Sequence, residues 1–207
     1  MGSIKNNIIN QISCIFLFLL VFLVLTSAQN NNIAHIEQIG DFNEAIQSQT
    51  KTQTGSNIAE INQWDVNSNI AEQTQNGYNN KAKIIQENGF GNYASQTQMG
   101  SDNVGGNALL EDPETGNTHQ QKEFGAYIMQ KGNDCEATQL MEGNNNYSYI
   151  EQRGDEQKAK INQYGSDLKA VLIQTDTYMS NKMITITQER SQPSGAVDPR
   201  PVIIRME

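Results

Sequence analysis

The chain has 207 residues, 36% of them hydrophobic and 7% aromatic, with a formal net charge of −9. The acidic excess lies over residues 29–149, which hold 15 acidic and 5 basic side chains, and argues against nucleic acid as a partner because the phosphate backbone needs a basic surface. Asn and Gln together make up about a quarter of residues 29–207, a composition shared by ordered polar stacks and prion-like disordered tracts; spacing has to decide between them.

Residues 1–28 read as a secretory signal. Lys5 precedes an apolar run from Ile15 to Leu25, and Thr26-Ser27-Ala28 supplies the small residues of a cleavage site. Cys14 lies inside this segment, so cleavage leaves Cys135 as the only thiol and no intrachain disulfide can form.

From residue 29 to residue 100 a short phrase recurs, Asn-x-Ala-x-Ile-x-Gln-x-Gly, first complete at Asn32 to Gly40. Its closing Gln falls at Gln38, Gln49, Gln63, Gln75, Gln86 and Gln98. A fixed short period is the mark of a repeat architecture, and disordered tracts need no register. Four residues before each anchor stands Ala, and six before it stand Asn32, Asn43, Asn57, Asn69, Asn80 and Asn92. Offsets of two place all these positions on one face of a strand. Gly and polar residues after each anchor make the corner, since Gly and Asn tolerate positive φ. The slot two before the anchor alternates Ile36, Gln47, Ile61, Gln73, Ile84, Gln96. The true repeat is therefore a pair of strands, about 22–25 residues, one richer in aliphatics.

Residues 101–123 are degenerate, with Gly105-Gly106, Pro113 and Gly116 breaking the pattern. After Gln98 the anchor reappears at Gln130. That distance is close to three periods, so register is expected to run through the stretch. Residues 124–190 form a second block anchored at Gln130, Met141, Gln152, Gln163, Gln174 and Gln188, with Ile128, Ile150 and Ile161 in the aliphatic slot. Cys135 falls in an Asn slot. The longer steps between anchors, as at Thr50-Lys51-Thr52, read as loop insertions. Residues 191–207 form a proline-containing tail that ends in Val202-Ile203-Ile204, an extra strand or cap.

This arrangement predicts an all-β fold, a β-solenoid of stacked strand-turn-strand units. One unit cannot bury its inner face alone, whereas stacked units can. Stacking sets each Gln over an equivalent Gln, so that side-chain amides form ladders like those of a cross-β spine. No chemistry-bearing constellation emerges. His35 sits at an outward strand position, Gly89-Phe90-Gly91 is a corner rather than a phosphate loop, and Glu111, Asp112 and Glu114 read as surface loop. Asn146-Tyr147-Ser148 fits a glycosylation triplet but overlaps the repeat. No cofactor, metal or enzymatic role is expected.

The pattern Gln-x-Gly-x-x-Asn-x-Ala-x-x-x-Gln, clearest from Gln38 to Gln49, resembles the curlin repeat of curli subunits. Gln152-Arg153-Gly154 and Gln163-Tyr164-Gly165 keep the first half of the motif, with Gln157 and Leu168 in place of Asn. The resemblance covers about residues 32–190. It implies a secreted bacterial amyloid subunit that polymerises with itself and with another curlin-like chain. It also implies outer-membrane secretion and assembly factors and a role in adhesion and biofilm matrix. The interrupted middle and the tail with Arg200 and Arg205 lean towards a minor, nucleating role, with a major subunit as the alternative. The competing reading is a monomeric secreted solenoid that binds a surface or glycan.

Overall fold

The computed structural model describes residues 21–25, 32–50, 55–106, 109–111, 115–175, 183–190 and 201–206. Residues 1–20, Thr26-Ser27-Ala28, residues 51–54, Asp112, Pro113, Glu114 and the tail before residue 201 lie outside the described residues.

Every described element is a strand. In chain order they are β1 (Val21–Leu25), β2 (Ile33–Gln38), β3 (Glu44–Thr50), β4 (Ile58–Asn67), β5 (Ile70–Tyr78), β6 (Lys81–Phe90), β7 (Tyr93–Ser101) and β8 (Leu109–Glu111). There follow β9 (Thr118–Gln120), β10 (Ala126–Lys131), β11 (Glu136–Glu142), β12 (Tyr147–Arg153), β13 (Lys158–Tyr164), β14 (Lys169–Gln174), β15 (Met183–Glu189) and β16 (Val202–Met206). They form two parallel seven-stranded sheets. The odd sheet runs β1-β3-β5-β7-β11-β13-β15 and the even sheet β16-β14-β12-β10-β6-β4-β2. Successive strands of the repeat alternate between sheets, so the chain winds as a solenoid of about six turns.

Register follows the sequence motif. Ala34 pairs with Ala59, Ala59 with Ala82 and Ala82 with Ala126, while Gln63 pairs with Gln86 and Gln86 with Gln130. Buried and half-exposed positions alternate in strands such as β3 and β11, whereas β12 and β14 are buried at most positions. The inner faces meet in a core of stacked Ala, Ile and Leu that includes Ala45, Ile61, Ile84, Ile128, Ile150 and Leu172. Small Ala on both sheets lets them approach. Each fully buried Ile contributes roughly 1.5–3 kcal/mol of apolar transfer energy.

The corners explain the glycines. Gly143 takes φ +122°, and a Cβ there would overlap the carbonyl oxygen of Gly165 in the next turn. Only glycine gives both the left-handed backbone and the close approach of stacked corners.

The interval after Gln98 differs from the sequence expectation. It does not hold three periods. Asn103 and Gly125 together complete a single Asn-x-Ala with Ala126, and residues 104–124 are looped out between them. Removing those residues returns the anchor spacing to that of the neighbouring strands. The bridge Val104–Phe124 closes the base of the excursion, and β8 and β9 pair antiparallel at its far end. Register is therefore kept by β6 pairing directly with β10 and β7 with β11. The near-match to three periods is a coincidence of insertion length.

Candidate assembly site

The inward polar residues form continuous ladders along the solenoid axis. In the even sheet Gln38 Nε2 donates to Gln63 Oε1 at 2.6 Å, Gln63 to Gln86 at 2.7 Å and Gln86 to Gln130 at 2.9 Å. Gln130 then donates to Gln152, and Gln152 to Gln174, both at 3.0 Å. In the odd sheet Gln49 donates to Gln75 and Gln75 to Gln98, each at 2.8 Å. A second odd-sheet ladder runs Gln47 to Gln73 to Gln96 to Gln139 at 2.9–3.0 Å. The amides after Gln38 also donate across to the opposite sheet, as from Gln73 to the Glu60 carbonyl at 2.9 Å and from Gln96 to the Lys83 carbonyl at 2.9 Å. The Gln rows thus tie rung to rung and sheet to sheet. Each such bond contributes about 1 kcal/mol net, and leaving a buried partner unpaired costs more.

The Asn residues hold the corners. The Asn80 backbone N–H donates to Asn57 Oδ1 at 3.0 Å, its Nδ2 donates to the Gly100 carbonyl at 2.9 Å, and its Oδ1 takes the Asn103 N–H at 3.2 Å. Asn92 makes the matching bonds to Asn69 Oδ1 and the Gly132 carbonyl, and Asn43 reaches the Val66 carbonyl. Asn32, on the first turn, receives the N–H of Asn57 at 3.2 Å. Cys135 stands in an Asn slot, and its Sγ contacts the Gly154 carbonyl at 3.0 Å. Burial pushes this thiol up to about 11, so it stays protonated and acts as a weak donor rather than a nucleophile.

The structure thus sets the Gln, Asn and Ile positions of the repeat in shared columns, except where a slot changes type. Met141 breaks the outer odd-sheet ladder, and Gln163 Oε1 behind it is buried without a hydrogen-bond partner. Ile161 and Ile186 end the inner odd-sheet ladder after Gln139 and turn that column aliphatic. Asn103 closes the Gln-x-Gly-x-x-Asn half of the motif that starts at Gln98, although no Ala follows it at the usual offset. It is fully buried and extends the Asn column, with its Oδ1 taking the Asn146 N–H at 2.9 Å. Its Ala partner and the next anchor are displaced by the insertion, so only the preceding Gln98-Met99-Gly100 signals it, and a count back from the next anchor passes it over.

The ladders share one direction: each amide donates towards the C-terminus. At the first turn this leaves Gln47 Oε1 and Gln49 Oε1 without partners, in side chains only 1% and 3% exposed. β1 lies on that edge of β3, with Leu23 in register with Gln47 and Leu25 with Gln49. At the other end β15 and β16 are the outermost strands of the two sheets.

The outer face of the even sheet carries a second cluster that no repeat position announces. Tyr127 and Tyr149 stack with ring centroids 5.3 Å apart, and His119 from the excursion packs on Tyr149 at 4.3 Å. Leu110 joins Tyr147, Val171, Ile173 and Ile203 in one apolar group. Tyr147 Oη accepts the Lys122 N–H and meets His119 Nε2 at 2.8 Å. Burial depresses His119 to about 4, with Lys122 and Arg205 adding to the effect and Glu151 opposing it. The imidazole is neutral, and its tautomer sets which of the two groups donates in the bond with Tyr147. Burial likewise raises Tyr127 to about 12. This cluster pins the excursion to the even sheet. His35 is exposed, Asn146 and Ser148 are fully buried, and among the described residues no group of His, Cys, Asp and Glu is placed to hold a metal.

Among known families, the model of the curlin associated repeat matches residues 142–165, which span β12, β13 and the corners around them. No curated protein and no solved structure matches the chain. The match falls on one strand-turn-strand unit whose ladders and corners are those described above, and it supports assigning the chain to the curlin-repeat family.

Proposed function

We propose that the chain is a structural subunit of extracellular curli-type fibres, serving surface adhesion and biofilm matrix. The observation that carries this reading is the pair of parallel sheets tied by amide ladders that run along the stacking axis, with β2, β15 and β16 as edge strands. An open parallel edge of this kind templates another strand. The chain polymerises with curlin-type subunits, itself included, after export through its N-terminal signal and outer-membrane assembly factors. Unequal ends and the pinned excursion favour a nucleating or capping subunit over a bulk one.

The test is to purify the chain from denaturant and follow thioflavin fluorescence, then record fibre diffraction. Growth is expected, with reflections at about 4.7 Å and about 10 Å. A β-rich monomer that never polymerises favours instead a solenoid that binds a surface or glycan.

A further inference from the structure

We infer that the β3 edge is a docking site for the last turn of another curlin-type chain, one ending in a strand with Gln at both inward positions, and that a second copy of this chain fills it less completely. The inference rests on the fibre-subunit reading and names the partner for one end.

The first ground is the pair of buried acceptors. Gln47 Oε1 and Gln49 Oε1 are nearly inaccessible and unpartnered. Everywhere else in these two columns where an amide precedes, the following Oε1 is satisfied; where Met141 precedes, Gln163 Oε1 is not. The present neighbour, β1, completes the backbone pairing but has leucine, which carries no donor, at the two register positions. It belongs to the segment read as a signal, so cleavage after Ala28 uncovers the edge.

The second ground is what this chain's own C-terminal end offers. β15 presents Ile186 and Gln188 in the slots that continue towards Gln47 and Gln49, and β16 presents Met206 in the slot that continues towards Gln38. A second copy therefore supplies one amide for three acceptors.

The third ground is strand number. Without β1 the odd sheet has one strand fewer than the even sheet. Pairing β16 of one copy with β2 of the next leaves one strand position vacant between β15 and β3. A partner whose Ile/Gln alternation is unbroken, and which ends on the Gln-bearing strand, covers β2 and β3 together. It donates to all three acceptors.

The experiment uses the full chain with a protease site placed after Ala28, immobilised and measured before and after cleavage. The probe is a synthetic peptide of residues 57–79, which carries Gln63, Gln73 and Gln75; its counterpart carries Gln73→Ile. Capture is expected only after cleavage, and about tenfold stronger for the unmodified peptide, the effect of one buried carbonyl left unpaired. A chain carrying Gln47→Ile is expected to lose or invert that preference. The peptide comparison leaves the protein unchanged, so it holds even if the Gln47→Ile chain folds poorly. Equal capture of the two peptides, or equal capture before and after cleavage, overturns the inference while fibre growth by the chain leaves the fibre reading standing. A chain that captures neither peptide and forms no cross-β fibre overturns both.

Discussion

Gln163 sits behind the one gap in the outer amide column of the odd sheet, where Met141 takes the place of Gln. A Gln at that position reaches Gln98 on one side and Gln163 on the other. Met141→Gln is expected to stabilise the chain by about 1 kcal/mol, after subtracting the lost apolar contact with Ala82 and Ala126. Equilibrium urea unfolding measures it; an unchanged or lower midpoint refutes the view that the ladder is limited by its donors. Gly143 gives the opposite case. Gly143→Ala forces a Cβ against the Gly165 carbonyl at φ +122°, and is expected to cost about 2–3 kcal/mol, read in the same assay. The ladder positions are legible in the sequence because a polar residue recurring at one strand face has few other physical uses. The outward aromatics are not, since a lone Tyr at an outer position carries no periodic signal.

The excursion of residues 104–124 is the element that departs from the repeat. It docks through His119, Leu110 and Phe124 onto side chains that the strands point outward. His119 is held neutral, with its folded value near 4 against an ordinary 6.5. A depressed histidine stabilises the fold fully above about pH 6.5, and that contribution is lost as pH falls towards 4, because the unfolded chain binds the proton first. The unfolding midpoint is expected to drop between pH 7 and 4.5, and to drop less in His119→Gln; parallel slopes count against a buried neutral imidazole. Glu151, Lys122 and Arg205 face the same ring and are present in both chains, so the difference in slope reports the imidazole. Joining Asn103 to Gly125 should keep the solenoid, because it restores one unbroken Asn-x-Ala. Circular dichroism checks the retained strands, and light scattering the association caused by uncovering Tyr127 and Tyr149.

Along the molecule the core changes character. The early turns stack Gln47, Gln73 and Gln96, whereas the later ones stack Ile161, Leu172 and Ile186 and carry a second apolar layer outside the even sheet. Apolar burial on both faces raises the local opening energy. Hydrogen exchange is expected to be slowest in β12–β14 and fastest in β2 and β3. Uniform protection from end to end contradicts a graded stack. The same gradient makes the two ends chemically unequal, amide at one and largely aliphatic at the other. That inequality is the basis for assigning different partners to them.

Residue spacing is sufficient for the solenoid, the Ala, Asn and Gln rows, and the placing of Cys135 in an Asn slot. Each inward position is fixed by period-two geometry within a strand and by repetition between strands. How the interval between Gln98 and Gln130 is spent emerges only in three dimensions. The looped-out insertion is almost the same length as two further periods, and sequence distance cannot tell a loop from a rung. The common direction of the amide ladders, and the carbonyls it leaves unpaired at Gln47 and Gln49, belong to the folded state as well. The orientation of an amide is set by its neighbours above, below and across the core, and no one-dimensional pattern records it.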